Sequence, residues 1–361
     1  MKITDRYVLR SFLGVFLGSI FIVAFLFTAL SVLDSMTYLM GKKGASFGEI
    51  VYFHLLQLPQ TLYMTAPVAA LISAMITMGT FNQRFEIMAV RAAGVSIARA
   101  AMPVLISSFF IFAGLFVLGN TLVPYGNRYF FNMEEKIKGK DKEEENRLWY
   151  VSEHRDTRYI LRAGHLNRNT GHIKSLTVYH LDPDFQLVKQ TLAKEAYYEP
   201  QKGWTMKNVV HRYFSGMDPP HTETAEQAML DIPATKKDLL RVQRLPEEMT
   251  LSELNRQIKR IKKHGRSNAA YKVERQARVA IPFAAVILIL AGTPLAIRPV
   301  RSSGLAVSIL GAIIVGFVYY VIIAEFISLG KGGLVSPVVA AWSANVIFGV
   351  LGVVLFSGLR K

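Results

Sequence analysis

The chain is 361 residues long, 51 % apolar and free of cysteine, and 42 Lys and Arg against 26 Asp and Glu leave it a formal charge of +16. Without cysteine there is no disulfide framework and no thiolate metal or redox centre. So apolar a chain with so large a positive excess is not an ordinary soluble globular protein.

Six charge-free apolar stretches organise the sequence: Ser11 to Leu33, Ile50 to Thr80, Ala100 to Asn127, Val279 to Ile297, Ser302 to Ala324 and Gly332 to Leu359. Each has at least 19 residues, and about 20 in a helix rising about 1.5 Å apiece cross a hydrocarbon core of about 30 Å. They fall three and three around a polar block of 151 residues, Arg128 to Arg278. A polytopic α-helical membrane protein with six transmembrane helices and one inserted domain is expected.

The first stretch is too long for a signal-peptide core and is read as a retained span. Phe16, Phe21, Phe25 and Phe27 make it aromatic enough to line an apolar cavity, with lipid contact as the alternative. Small residues four apart, Gly14 and Gly18 here and Ser308, Ala312 and Gly316 in the fifth span, suit close helix packing, either within the chain or against a second subunit. The short flanks set orientation. Lys2, Arg6, Arg10, Arg84, Arg91, Arg99, Arg298, Arg301, Arg360 and Lys361 fall on one side of the spans, and only Lys42, Lys43 and Lys331 on the other. The basic side should be cytoplasmic, which puts both termini inside and the polar block outside. The basic run from Arg256 to Arg278 opposes that bias, but the first three spans insert first and decide.

Between the second and third spans, Gln83-Arg84-Phe85-Glu86-Ile87-Met88-Ala89-Val90-Arg91-Ala92-Ala93-Gly94 is rich in helix formers and ends on a glycine suited to a C-terminal cap. A short surface helix over about residues 82–94 is expected. At i±3 and i±4 Glu86 meets only Asn82, Gln83, Ala89 and Val90, so it has no intrahelical ion pair. It is open to a partner outside the helix, or is a solvated surface carboxylate.

The polar block changes period. From Leu148 to Phe214, short runs rich in β-branched and aromatic residues alternate with turn signals such as Asp182-Pro183-Asp184, the pattern of a meandering antiparallel sheet or sandwich. Met133 to Asn146 reads as a solvated linker or short helix, and Met217 to Pro246 as loop with a final edge strand. Thr250-Leu251-Ser252-Glu253 fits a capping box. Leu251, Leu254, Ile258 and Ile261 then recur on one face of a basic amphipathic helix that Gly265 should end.

Catalytic signatures are missing: there is no phosphate-binding loop, HExxH or Gly-x-Ser-x-Gly. His154, His165, His172, His180, His211 and His221 scatter without metal-ligand spacing. Asp34 and Glu325 sit at the outer boundary of their spans, not at the midplane where ion coupling would need them. The chain is therefore expected to be neither an enzyme nor an ion-coupled transporter, with no cofactor of its own.

Asp5-Arg6-Tyr7, three spans enclosing the Gln83–Gly94 loop, an outer β domain, and three further spans with a turn at Pro294-Leu295-Ala296-Ile297-Arg298 together resemble the LptF/LptG permeases of the lipopolysaccharide export ABC transporter, more the LptG branch. The resemblance covers the whole chain, and the loop is its most specific part. It implies a periplasmic all-β domain of jellyroll-like form. The division would be residues 1–127 for spans one to three with the coupling helix, 128–248 for the β domain and linkers, 249–278 for the basic helix and connector, and 279–361 for spans four to six. Implied partners are a cytoplasmic ATPase dimer that binds ATP, a second related permease, a periplasmic jellyroll bridge protein and lipopolysaccharide, with no nucleic acid. Glu86, with Arg84, Phe85 and Arg91, would contact the ATPase. Lys42 and Lys43 match the family's lysines near lipid phosphates loosely, since Ser31 and Thr37 are not lysine, and Lys259, Lys262 and Lys263 would suit the same phosphates or form a solvated helix face. The rival reading is a membrane-anchored periplasmic sensor or assembly factor without transport activity.

Overall fold

The computed structural model describes residues 3–43, 46–138, 148–154, 157–166, 171–183, 185–199, 203–214, 219–230, 245–263, 268–297 and 305–358. They form two compact units, Met1–Glu134 with Pro246–Lys361, and Glu135–Leu245.

The first unit is helical: α1 (Ile3–Lys43), α2 (Phe47–Gln83), α3 (Glu86–Ala92), α4 (Ile97–Asn120), α5 (Leu122–Lys138), a 3₁₀ turn at Pro246–Glu248, α6 (Leu251–Lys263), α7 (Ala269–Ile297), α8 (Leu305–Lys331) and α9 (Pro337–Ser357). Six segments of the described residues, in α1, α2, α4 with α5, α7, α8 and α9, are long and apolar enough to cross a membrane. Pro294 to Ile297 are not a turn, and Arg298 lies outside the described residues. α7 continues through Pro294 to Ile297, a proline being tolerated in a buried span when neighbours cover the freed carbonyl.

α2 and α7 form the centre. Their most apolar windows are 78 % and 67 % buried, against 11 % in α1. Small side chains allow this: Ala66, Ala70 and Ala74 of α2 and Ala284 and Ala285 of α7 are wholly buried, and a Cβ on Gly292 would stand 2.3 Å from Leu71. Where lipid supplies no hydrophobic drive, close backbone approach and hydrogen bonds hold helices together. Tyr319 donates to Asn345 Oδ1 at 3.0 Å, and Asn345 donates to the Ala280 carbonyl at 2.8 Å, tying α8, α9 and α7. The small-residue stripe of the fifth span serves packing within this chain, because Gly79 lies against Ser308 and Gly316 against Val68. Gly14 and Gly18 have nothing of this chain beside them.

At the end of the bundle where the chain leaves for the strands and returns, polar groups fasten the two crossings. Arg278, with its side chain only 3 % exposed, donates to Glu274 at 2.8 Å, to the Gly119 carbonyl at the end of α4, and to the Glu247 carbonyl at 2.9 Å. Asn127 also reaches the Glu247 carbonyl, at 3.1 Å, and Arg128 the Glu248 carbonyl, at 2.8 Å. Lys331 closes on the Glu247 carboxylate at 2.8 Å. The expected capping box follows directly, Thr250 N donating to Glu253 at 2.9 Å and Glu253 N to the Thr250 hydroxyl at 3.4 Å. α6 then runs back along the first turns of α7, with Leu254 and Ile258 buried and Arg275 reaching Asn255 at 3.5 Å. Gly265, its expected stop, lies outside the described residues.

The second unit holds six strands, β1 (Leu148–His154), β2 (Thr157–Leu166), β3 (Ile173–Leu181), β4 (Leu187–Glu199), β5 (Gly203–Tyr213) and β6 (His221–Leu230), each antiparallel to the next in chain order. This is the expected all-β insertion, with β6 as its edge strand among the described residues, and the strands run as a plain meander. It carries a crease. Between β2 and β6 each register passes over one position, along a single row of Gly164, Ser175, Lys194, Asn208 and Glu226. Ser175 and Asn208 there have left-handed φ of 55° and 50°. Across the row the buried side changes parity: Ile173 then Leu176, Ala193 then Ala196, Met206 then Val209. One core therefore joins Leu161, Ala163 and Val178 to Ala196, Trp204 and Met206, giving a single bent sheet the inward-facing core of a two-layered one.

His211 borders this core, its Nδ1 3.0 Å from the Thr191 hydroxyl. Burial first, then the nearby Lys189 charge, lower its pKa, with Glu223 opposing. A histidine depressed in the fold binds fewer protons than in the unfolded chain, whose value is about 6.5. Stability therefore falls as pH drops through that value and levels off below the folded pKa. Melts of the full chain carrying Trp149→Phe and Trp342→Phe, followed by the fluorescence of the remaining buried Trp204, are expected to lose midpoint temperature between about pH 7 and 5.5, and His211→Asn should flatten that slope while leaving the pH 8 midpoint within a few degrees.

Candidate functional site

The opposite end of the bundle carries α3. α2 runs on to Gln83, so residues 82 and 83 belong to its last turn, and the helical part of the expected segment is Glu86–Ala92. The reversal falls at Arg84 and Phe85: Arg84 N donates to the Thr80 carbonyl at 3.0 Å and Phe85 N to the Asn82 carbonyl at 3.1 Å. Phe85 takes φ 60°, ψ 10°, a left-handed conformation that costs a side-chain-bearing residue about 1–2 kcal/mol. Gly94, at φ 78°, closes the far end. Its N–H bonds to Arg91 at 2.9 Å and the Val95 N–H to Val90 at 3.1 Å, the paired bonds of a Schellman cap that only glycine enters without strain.

This turn buries Ile87 and presents Phe85 (68 % exposed) and Met88 (61 % exposed), with Arg84 and Arg91 exposed beside them. A short helix closed by a glycine cap thus shows two apolar side chains and two guanidinium groups to the outside.

Glu86 opens α3, where a carboxylate complements the helix dipole. It has a partner in the chain. Tyr7 of α1 donates to Glu86 Oε1 at 3.4 Å, and its ring stacks on Phe81 with centroids 5.3 Å apart and planes 12° off parallel. Two residues earlier, Asp5 receives both Arg99 guanidinium nitrogens at 3.0 Å, joining the first turn of α1 to that of α4. Behind α3 these elements leave a small open hollow lined by Thr4, Tyr7, Phe81, Glu86, Val90 and Ile297 among others.

The remaining expected residues do not converge. Phe16 stacks on Phe12 at 6.1 Å and packs inward, whereas Phe21, Phe25 and Phe27 are exposed at 72 %, 62 % and 60 %. Phe21 and Phe25 share a face with centroids 6.4 Å apart, and Phe27, two residues further on, points about 200° around the helix. Lys42 and Lys43 end α1, their side chains outside the described residues. Lys259 is exposed on α6; the side chains of Lys262 and Lys263 are likewise outside the description. No group of three or more metal-ligating side chains occurs among the described residues.

The family model described as "Lipopolysaccharide export system permease LptF/LptG" matches residues 6–358. The chain belongs to this family. Among LptF/LptG relatives, the lipopolysaccharide export system permease protein LptG of Escherichia coli (strain K12) is 22 % identical over 326 residues, covering 89 % of this chain and 88 % of its own. LptG of Haemophilus influenzae is 21 % identical over 321 residues, with 88 % of each chain covered. An uncharacterized protein of Aquifex aeolicus is 28 % identical over 171 residues, covering 46 % of this chain and 47 % of its own. The chain is thus a multi-pass permease-family protein. Reading the sequence missed Tyr7 as a partner of this turn and Asp5 as a partner of the helix after it, since nothing in their spacing announces contacts 79 and 94 residues away.

Phe85 is mostly exposed and packs little, so relief of its left-handed backbone should outweigh the lost contacts. Phe85→Gly is expected to stabilise the isolated permease by about 0.5–1 kcal/mol, read as a higher melting midpoint in detergent; an equal or lower midpoint would show that the Phe85 side chain is held by this chain after all.

Proposed function

We propose that this protein is the transmembrane permease subunit of an ATP-driven exporter that extracts lipopolysaccharide from the inner membrane and passes it to a periplasmic bridge. ATP is bound and hydrolysed by a separate cytoplasmic ATPase dimer, and a second related permease completes the membrane portion. The observation that carries this reading is the α3 turn of an LptF/LptG-family chain: a short helix closed by a glycine cap that exposes Phe85 and Met88 between Arg84 and Arg91. Closure of the ATPases pushes this turn, and the spans transmit the push to an apolar cavity shared with the second permease, to which Phe21, Phe25 and Phe27 are available. Lys42, Lys43, Lys259, Lys262 and Lys263 supply positive charge on the outer side for lipid phosphates. The support for a transporter over a membrane-anchored sensor is that the family match runs through both sets of spans and not through the β domain alone.

Two experiments test this. Glu86→Ala should uncouple or detach the co-expressed ATPase while the permease still inserts, and Glu86→Lys should be worse. Truncating one partner of a buried interface pair costs about 2–5 kcal/mol, so loss of copurification by ten-fold or more is expected; Glu86→Lys that assembles and transports like wild type removes the coupling role. The orientation, with both termini cytoplasmic, predicts that a cysteine at Ser152 reacts with an impermeant reagent from the periplasmic side and one at Ser96 does not. The cysteine-free sequence makes that labelling clean, and the reverse pattern would overturn the topology.

A further inference from the structure

α1 is the most exposed of the spans, and its fixings within the chain are unevenly placed. Leu17, Phe21, Ile22, Phe25, Leu26 and Leu30 are all more than half exposed. Val8 and Phe12, by contrast, are buried at 4 % and 0 %, Asp5 holds Arg99 through two parallel bonds, and Tyr7 lies between Phe81 and Glu86. Apolar packing continues further along, with Phe16 and Ile20 against the core and Ala24 buried, but the polar ties of Asp5 and Tyr7 lie in the first two turns, and they run to α3 and to the helix that follows it. Glu86 belongs to α3, and Arg99 to the first turn of α4, which α3 leads into through Gly94 and Val95.

We infer that the first turns of α1 are a brace that carries displacement of α3 into span one, with Tyr7 as the positioning residue that sets the Glu86 carboxylate and Asp5–Arg99 as the tie that keeps α1 and α4 moving together. The inference rests on the reading of α3 as the ATPase-contacting turn. Tyr7 is suited to this because its two contacts differ in kind. The ring is fixed flat on Phe81 at the end of α2, so the hydroxyl projects from a rigid base toward Glu86 and reports any rotation of α3 about the Arg84–Phe85 reversal. The Asp5–Arg99 pair is bidentate, and that geometry resists shear and rotation as a single contact does not.

The test uses the full permease co-expressed with its ATPase and the second permease and reconstituted into lipopolysaccharide-containing vesicles. Tyr7→Phe keeps the ring on Phe81 and removes only the hydroxyl. It should copurify the ATPase at the wild-type ratio and hydrolyse ATP, yet release about three-fold or more less lipid per ATP. A spin-label pair at Leu17 in α1 and Val346 in α9 should lose most of its nucleotide-dependent distance change. Asp5→Asn should act in the same direction, and the exchange Asp5→Arg with Arg99→Asp should restore at least half of the lost ratio, which a merely destabilised protein would not show. If Tyr7→Phe and Asp5→Asn both keep wild-type lipid release per ATP and the wild-type distance change while Glu86→Ala fails to assemble, the brace is wrong and the coupling role of α3 survives. If Glu86→Lys is itself silent, the reading beneath the brace has failed, and the brace with it.

Discussion

A guanidinium withdrawn from water has to find every one of its partners inside the protein, and Arg278 organises the far end of the bundle by doing so. Its Nε meets Glu274 on its own helix, and its terminal nitrogens cap the last carbonyls of α4 and of the 3₁₀ turn. The chain leaves the spans through α4 and α5 and returns through that turn, so one side chain holds both passages. Asn127, Arg128 and Lys331 add to the same three residues, Pro246–Glu248. Breaking a buried pair by removing one member typically costs about 3–5 kcal/mol because the remaining charge is stranded. The two ends of the inserted segment are thereby fastened to one another within the helical unit.

The bundle is built in two grades of firmness. α2 and α7 meet through alanine and glycine, with backbone approaches that leave no slack, and their hydroxyls bond back to the helix that bears them, as Ser73 does to Ala69 at 2.5 Å and Thr293 to Ile289 at 2.7 Å. α1 stands outside that centre. Its exposed apolar length faces away from the rest of the chain and in a bilayer has to be covered by other apolar material, while the alanine seam is closed within the chain and cannot part without opening voids.

Much of this was legible in sequence, for identifiable reasons. Uninterrupted apolar length located the spans because the hydrocarbon core imposes a minimum that few soluble helices meet. The strands announced themselves through turn chemistry, and the capping box at Thr250 through a reciprocal pair of short-range bonds. What stayed hidden is long-range. Tyr7 with Glu86 and Asp5 with Arg99 are paired by tertiary approach alone, and each side chain reads locally as a surface group. Pro294 suggested a turn because a proline removes a donor, but in a buried span the surrounding helices absorb that loss. The Phe16, Phe21, Phe25 and Phe27 set failed to converge because residue type was read without helical phase. The small residues of span five and span one looked alike in sequence, and only packing showed that Ser308 and Gly316 are used within the chain while Gly14 and Gly18 are not.

The row of skipped positions through Gly164, Ser175, Lys194, Asn208 and Glu226 makes the β domain a sheet with a change of handedness in its reading frame. On one side of the row odd-numbered residues of β4 and β5 face the core, and on the other the even-numbered ones do, so a strand here has no single inside and outside. Any substitution pattern along these strands should break in phase at the row, and a relative lacking one of the two left-handed residues would need glycine or asparagine there to keep the fold line straight. Curvature is thus written into backbone conformation and not into the side chains that line it, which leaves those side chains free to diverge while the bend persists.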